Sequence, residues 1–276
     1  MTTAPELALA REVGERLLCD PQEPLLLFGP DRAVWFVSEA AGEAFGLAPG
    51  DRLPLAWDEL FALPSASRPL AEALCRARDG KTAAFGSIAR PAAGCVRWLD
   101  FVLFPQFGQD GEVAYLVTRL HEAEFAGVLA RALRETAGPP GEGRAPLPLL
   151  IPPLLDAGMT LTPATERWLA ALRPETALLA GDFEPLRLAL VQLALCAHTC
   201  SRAQAQLAVT PRDAGGDTRY LSLEFQGYGN GHELRMAGWE EIRSLIESYG
   251  GTAVRIQPPG GDAIIELILR FEDLAR

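Results

Sequence analysis

Lysine is almost missing from this chain: Lys81 is the only one among 25 basic residues, the rest being arginine. A lysine nucleophile or Schiff base would have to be Lys81, whose setting in Asp79-Gly80-Lys81-Thr82 reads as an exposed turn. Histidine is nearly as scarce, with His121, His198 and His232 as the full set. The five cysteines, Cys19, Cys75, Cys95, Cys196 and Cys200, form an odd set with no CxxC and no partnering histidine spacing. That excludes a disulfide framework and a zinc site, and predicts free thiols, mostly in the core. No run of ~20 apolar residues is free of charge or proline, so no membrane span is expected. Residues 1–24 place Glu6, Arg11, Glu12, Glu15 and Arg16 among their leucines, which breaks the apolar centre a secretion signal needs and makes the cytoplasm the expected location. A formal charge of -11, with no basic run to offset it, opposes nucleic acid as a partner.

What is present is the balance of a globular protein, 49% hydrophobic and 22% charged over 276 residues, enough for two domains. Residues 5–19 carry Leu7, Leu9, Ala10, Val13, Leu17 and Leu18 at helical spacing, an amphipathic helix with one apolar stripe. Two short apolar runs, 24–28 and 33–37, flank Gly29-Pro30-Asp31 and predict a hairpin. Helix formers then follow Ser38, placed as an N-cap, and stop at Gly46. A helix over 68–78 precedes strands over 82–90, 96–104 and 113–120, the last after the turn Gly108-Gln109-Asp110-Gly111. Residues 122–136 read as an output helix with Phe125, Val128, Leu129, Ala132 and Leu133 on one side. Six prolines over 138–153 predict a linker, since neither a helix interior nor a central strand readily accepts them. Beyond it come a strand over 159–162, a helix over 184–200, a hairpin with arms 204–210 and 219–225, a helix over 239–249 and strands over 252–257 and 263–271. That order predicts an antiparallel sheet with helices on one face, and the fold class is α+β.

The first half resembles a PAS sensory domain over about residues 22–121. The resemblance rests on Leu25-Leu26-Leu27-Phe28 leading through Gly29-Pro30-Asp31 into Ala33-Val34-Trp35-Phe36-Val37-Ser38, on the helix up to Phe45-Gly46-Leu47, and on Gly94-Cys95-Val96-Arg97-Trp98-Leu99-Asp100 followed by Val102-Leu103-Phe104-Pro105 and Gln109-Asp110-Gly111-Glu112-Val113. It implies a five-stranded antiparallel sheet with helices around one face, often enclosing a small-molecule pocket, and frequent dimerisation through a flanking N-terminal helix. No histidine lies inside the sensory core to ligate haem, and Cys75 and Cys95 stand outside the motif of the flavin-binding blue-light branch. The ligand is therefore unknown and no cofactor is expected. Phe36, Phe45, Trp98 and Leu103 either line a pocket or fill the core.

The second half, about residues 156–272, is similar to the ATP-binding domain of sensor histidine kinases, an α/β sandwich. Ala180-Gly181-Asp182-Phe183-Glu184-Pro185-Leu186-Arg187 enters the helix that in that family carries a magnesium-binding asparagine, and Ile246-Glu247-Ser248-Tyr249-Gly250-Gly251-Thr252 resembles its late helix and glycine turn. At the asparagine position stands Cys196, with Gln192 one turn earlier, and a thiol is a poor magnesium ligand. Gln226-Gly227-Tyr228-Gly229-Asn230-Gly231 keeps the glycines of the adenine-binding motif, Gly227, Gly229 and Gly231, without its aspartate. Gly231 and Trp239 are too close for a long phosphate lid, and Gly238 alone remains of the phosphate loop.

These readings divide the chain into an amphipathic helix (1–21), a PAS-like domain (22–121), an output helix and linker (122–153) and a degenerate kinase-like domain (154–276). The function they imply is two-component-type signal transduction by a pseudo-histidine kinase acting through contacts with a signalling partner. Homodimerisation is expected through the helices bearing Leu9, Val13 and Leu17 and bearing Phe125, Val128 and Leu129. The alternative is an active or atypical histidine kinase or phosphotransferase, for which His121 is the one candidate phosphoacceptor. Ser38, Ser87 and Ser201 have no histidine and carboxylate nearby in sequence for a nucleophilic triad.

Overall fold

The computed structural model of the protein describes residues 12–14, 22–29, 33–45, 55–56, 67–92, 95–136, 143–172, 177–200, 204–213, 219–228, 238–258 and 261–273. The chain divides into two compact units, Met1–Glu124 and Phe125–Arg276.

The first unit runs β1 (Leu25–Phe28), β2 (Ala33–Val37), α1 (Glu39–Phe45), β3 (Leu55–Ala56), α2 (Ser67–Arg78), β4 (Ala83–Ala92), β5 (Cys95–Phe107) and β6 (Val113–Ala123). Its sheet has the order β3-β2-β1-β6-β5-β4 with every neighbouring pair antiparallel. Five long strands and the two-residue β3 make up this sheet, an arrangement consistent with a PAS fold. Ser38 ties the start of the sheet to the first helix. Its hydroxyl accepts from the Leu25 and Ala41 amides and donates to the Glu23 carbonyl, so the predicted N-cap also clamps β1. Strand β1 is buried on both sides and β2 is bulged against it. Leu27 faces Phe36 but Phe28 faces Val34, which leaves Trp35 as the extra residue. The indole lies against Gly29, where a Cβ would come within 2.1 Å of it.

Of the predicted N-terminal helix, residues 12–14 are described and are helical. Val13 packs on the cluster of Leu25, Leu27, Phe36 and Val117, and Gly14 sits so close to Phe36 that a Cβ would meet the ring at 2.6 Å. Val13 of the apolar stripe thus covers the sheet, and a glycine at position 14 of a helix is explained by that approach.

The second unit runs α3 (Phe125–Glu135), β7 (Arg144–Pro146), α4 (Leu147–Asp156), β8 (Thr160–Leu161), α5 (Pro163–Ala171), β9 (Ala177–Ala180), α6 (Phe183–Cys200), β10 (Gln206–Asp213), β11 (Arg219–Gln226), α7 (Trp239–Ser248), β12 (Thr252–Ile256) and β13 (Ile264–Asp273). The sheet order is β7-β9-β13-β11-β10-β8, with β12 also paired to β13. It is mixed and not wholly antiparallel as expected, because β8 joins β10 in parallel. Helix α6 is apolar around nearly its whole circumference, and its Leu186, Ala189, Leu190, Val191, Leu193, Ala194 and Ala197 are all buried. The sheet lies on one side of it and α3 and α4 pack on others, which is what an all-round apolar helix requires.

The described part of the proline-rich segment read as a linker, from residue 143 onward, is a strand and a helix. Pro148 falls in the first turn of α4, where no amide is needed; Pro152 and Pro153 remove two later hydrogen bonds. Burial of Leu147, Leu150, Ile151, Pro153 and Leu154 offsets that loss. Helix α5 is absent from the sequence reading, although Thr162 caps it by accepting from the Thr165 amide and Pro163 opens it.

At the start of α6, Asp182 is buried and accepts from the Tyr249 hydroxyl at 3.4 Å, with Gly181 at φ +129 pressed under the Tyr249 ring. Burial, and after it the Asp182 carboxylate, holds the phenol above its ordinary value of 10.0. An unfolded tyrosine ionises near that value while the folded one resists, so this contribution to stability is whole below pH 10 and is lost as pH rises beyond it. Tyr249→Phe is expected to cost about 1 kcal/mol at pH 7. In urea titrations the wild-type advantage should then shrink above pH 10 by up to about 1.4 kcal/mol per pH unit. A pH-independent difference would show that folding does not shift the ionisation of this phenol.

Candidate functional site

The helix side of the first sheet is the apolar face on which the PAS resemblance places a pocket. Leu26 and Phe28 of β1, Leu99, Phe101 and Leu103 of β5 and Leu116 and Leu120 of β6 form one buried cluster with Phe45 of α1 and Ala73, Leu74 and Ala77 of α2. Phe85 stacks on Phe101 with centroids 4.6 Å apart and planes 7° from parallel, and Phe45 leans on Phe101 at 6.1 Å. The four predicted pocket residues do not meet. Phe45 and Leu103 belong to this cluster, whereas Phe36 is on the other face with Leu25, Leu27 and Val117. Trp98 alternates with Leu99 and is buried in neither cluster. The bulge at Trp35 puts Val34 in the helix-side cluster and Phe36 behind the sheet, against the simple alternation that sequence reading assumes.

Thr118 was missed. It stands on β6 between Leu116 and Leu120, directly opposite Leu26 and Leu103, so all four of its row neighbours are helix-side apolar residues. Its side chain is fully buried and its Oγ1 has no hydrogen-bond partner. An unsatisfied buried hydroxyl costs roughly 1–3 kcal/mol. It can both donate and accept, and it is the sole unpartnered buried side-chain oxygen or nitrogen among the described residues. A hydroxyl alternating with leucines was the available signal.

His121 is exposed and lies in a strand. Strand β6 continues to Ala123 because its last residues still pair with β5, Asp100 facing His121 and Trp98 facing Ala123. The output helix accordingly begins at Phe125. Phe125 and Leu129 are buried within the second unit, and Val128 is half-buried. Of the helix face expected to form a dimer seam, Phe125 and Leu129 are thus buried while Leu133 is exposed; Leu9 and Leu17 lie outside the described residues. Lys81 is exposed, as its turn predicted, while Cys75 is an exposed free thiol on α2 and not a core one.

In the second unit, Gln192 is buried in α6 and directs its Nε2 at Cys196 Sγ, 3.7 Å away. Gly238 begins α7 at φ +85, and a Cβ there would meet the Phe125 ring at 2.2 Å. Gly227 is buried at φ +117, and Tyr228 beside it donates to the Leu193 carbonyl at 2.8 Å. Gly229 and Gly231 lie outside the described residues. A thiol with a side-chain amide aimed at it, together with a helix start covered by a phenylalanine, does not fit magnesium and triphosphate, which need oxygen ligands and open amides. The sheet face away from the helices carries a groove of about 420 Å³ at one end, lined in part by Gln204, Gln206, Gln226, Gly227, Asp262 and Ile264.

No family model matches the chain. No curated protein matches it. Among solved structures, a light-oxygen-voltage domain studied with a flavin analogue is 14% identical, with 44% of this chain and 90% of that one covered and a TM-score of 0.36. A PAS domain from a two-component sensor histidine kinase is 15% identical over 42% of this chain and 98% of its own, with a TM-score of 0.33. A PAS domain of a protein from Colwellia psychrerythraea is 8% identical over 42% and 96%, with a TM-score of 0.35.

Thr118→Val keeps the side-chain shape and removes the orphaned oxygen. With nothing bonded to it, the variant should be more stable by about 1 kcal/mol in urea denaturation. A loss of stability instead would mean that the hydroxyl is satisfied in solution, and native mass spectrometry would then distinguish a co-purifying molecule from a buried water.

Proposed function

We propose that this is a cytoplasmic signal-transduction protein whose first unit is a PAS-type sensor and whose second unit is a kinase-shaped relay acting by protein contact without turning over ATP. The Gln192 and Cys196 contact carries the second half of this reading. In the histidine kinase arrangement that the motifs around Asp182 and Gly250 resemble, this stretch of helix offers oxygens to magnesium; here it offers a sulfur and an amide nitrogen turned inward on each other. Phe125 over Gly238 supports the same conclusion at the phosphate end. The sensor half is supported by the antiparallel sheet with α1 and α2 packed on its helix-side face, and by the buried Thr118 hydroxyl, a polar handle of the sort small-molecule sites use to orient an apolar ligand.

On this reading the signal passes as a change in which surface is offered to a signalling partner, so surface substitutions should uncouple it while leaving the fold unchanged. The test is isothermal calorimetry of the full chain with ATP and magnesium, where no saturable binding is expected up to millimolar nucleotide. Micromolar binding would overturn the relay. So would radiolabel transferred from ATP to the protein and abolished by His121→Ala, which would install the kinase reading in its place.

A further inference from the structure

Strand β12 is an edge. Among the described residues it pairs with β13 alone, and its sequence, Thr252-Ala253-Val254-Arg255-Ile256, carries few of the devices that protect an edge. Val254 and Ile256 are each 40% exposed, two of the large apolar side chains most open to solvent. They point to the sheet face away from the helices, where Val254 faces Glu266, Ile256 faces Ile264 and Thr252 faces Ile268 across the ladder. Glu266, the one charge in that band, is only 8% exposed and is held by the Ser222 hydroxyl at 2.6 Å and by Arg212. The strip from β12 to β13 is therefore apolar in effect, and the outer side of β12 has no strand partner among the described residues.

We propose that β12 pairs antiparallel with β12 of a second copy of this chain, about a two-fold axis at Val254, joining the two sheets. The register follows from the side chains. Because neighbours across a ladder share a face, the two open faces stay on the same side only if residues of like parity meet. Three such registers are available to a five-residue strand. Centring on Arg255 sets arginine against arginine, and centring on Ala253 leaves Arg255 and Ile256 without partners. Centring on Val254 engages all five residues, with Thr252 against Ile256, Ala253 against Arg255 and Val254 against itself. The charges then agree as well. Arg255 of one copy comes beside the partner's Ala253, two residues past the Gly250-Gly251 turn that closes α7, and the last turn of α7 holds Glu247 and no basic residue. A cation at a helix C-terminus is favourable. The contact is isologous, so it closes at two copies and does not propagate.

Sedimentation velocity on the full chain across about 1 to 100 µM should show a monomer–dimer equilibrium. Val254→Lys, which sets like charges opposite each other and removes the apolar contact twice, should raise the dissociation constant by about tenfold or more, with the circular dichroism spectrum unchanged. Val254→Cys under mild oxidation should yield a covalent dimer well above the level of the unsubstituted chain, since directly opposed Cβ atoms are roughly 4.5–5.5 Å apart. That variant also decides the matter if the lysine variant fails to fold. A wild-type chain that stays monomeric at 100 µM overturns the proposal, as does a dimer undiminished in Val254→Lys or a Val254→Cys chain that does not cross-link. None of these outcomes bears on nucleotide binding, so the relay reading stands or falls separately.

Discussion

A β-strand has two hydrogen-bonding edges, and β13 uses both along most of its length. One edge is taken by β11 from Ile264 to Phe271; the other is shared in series by β12 along Ile264 to Ile268 and by β9 from Phe271 to Asp273. Everything else in the second unit follows from that. Strand β9 brings β7 to the sheet, and its Ala180 end delivers the chain through Gly181 and Asp182 into α6, the helix that the unit's core surrounds. Strand β12 is held at the outer edge because β9 occupies the remaining length. The same alternation that buries Ile265, Leu267, Leu269 and Phe271 against helices turns Ile264, Glu266 and Ile268 to the other face.

The first unit has its equivalent in β6, which lies between β1 and β5 and carries Leu116, Thr118 and Leu120 to the helix side. The strand is fixed by long pairing with β5, ten residues from Trp98 facing Ala123 to Phe107 facing Val113, with one irregularity near Gln106. A ladder of that length leaves no freedom of register, and this is why a hydroxyl in it cannot turn away from the core. Its neighbour Phe101, pinned between Phe85 and Phe45, makes that part of the core aromatic and closely packed.

How much of this could be read from the amino-acid order depended on whether the deciding interaction was local. The hairpin around Gly29, the Ser38 cap, the turn ending α2 and the apolar length of α6 are written in adjacent residues, and strand and helix positions near them were legible. The bulge at Trp35 was not, because it is defined by the partner strand: Phe36 and Val34 have the same parity in sequence and opposite faces in the sheet. Helix α4 was hidden for a related reason. Its prolines carry a large local penalty, and only packing on α6, contributed by residues some forty positions on, outweighs it. Strand β8 is two residues long and takes its place through a parallel pairing with β10 that no short-range pattern announces. Among site residues, the glycines and Cys196 were found by resemblance, while Thr118 needed knowledge of which face each residue of β6 presents.

Thr118 of the first unit and Glu266 of the second are both buried polar side chains on strands rich in aliphatic residues, and the difference between them decides which is structural. Glu266 is an ionisable group in the middle of an aliphatic strip, a costlier anomaly in principle than a threonine. Yet it has a hydroxyl from the neighbouring strand β11 and a guanidinium from β10, one strand further across the sheet, and Arg212 keeps half its side-chain surface in water. Such a pair is screened and modest in energy, and it accounts for the carboxylate completely. Thr118 is the smaller anomaly with no account at all: fully buried, on a covered face, flanked by four leucines, and bonded to nothing in the protein. Folding would be better served by valine at that position, which has the same shape and belongs in a strand. The ladder fixes the face that Thr118 presents, and no group of its own unit offsets the cost of its hydroxyl. That is why the sensory reading attaches to β6 and leaves Glu266 to hold the sheet together.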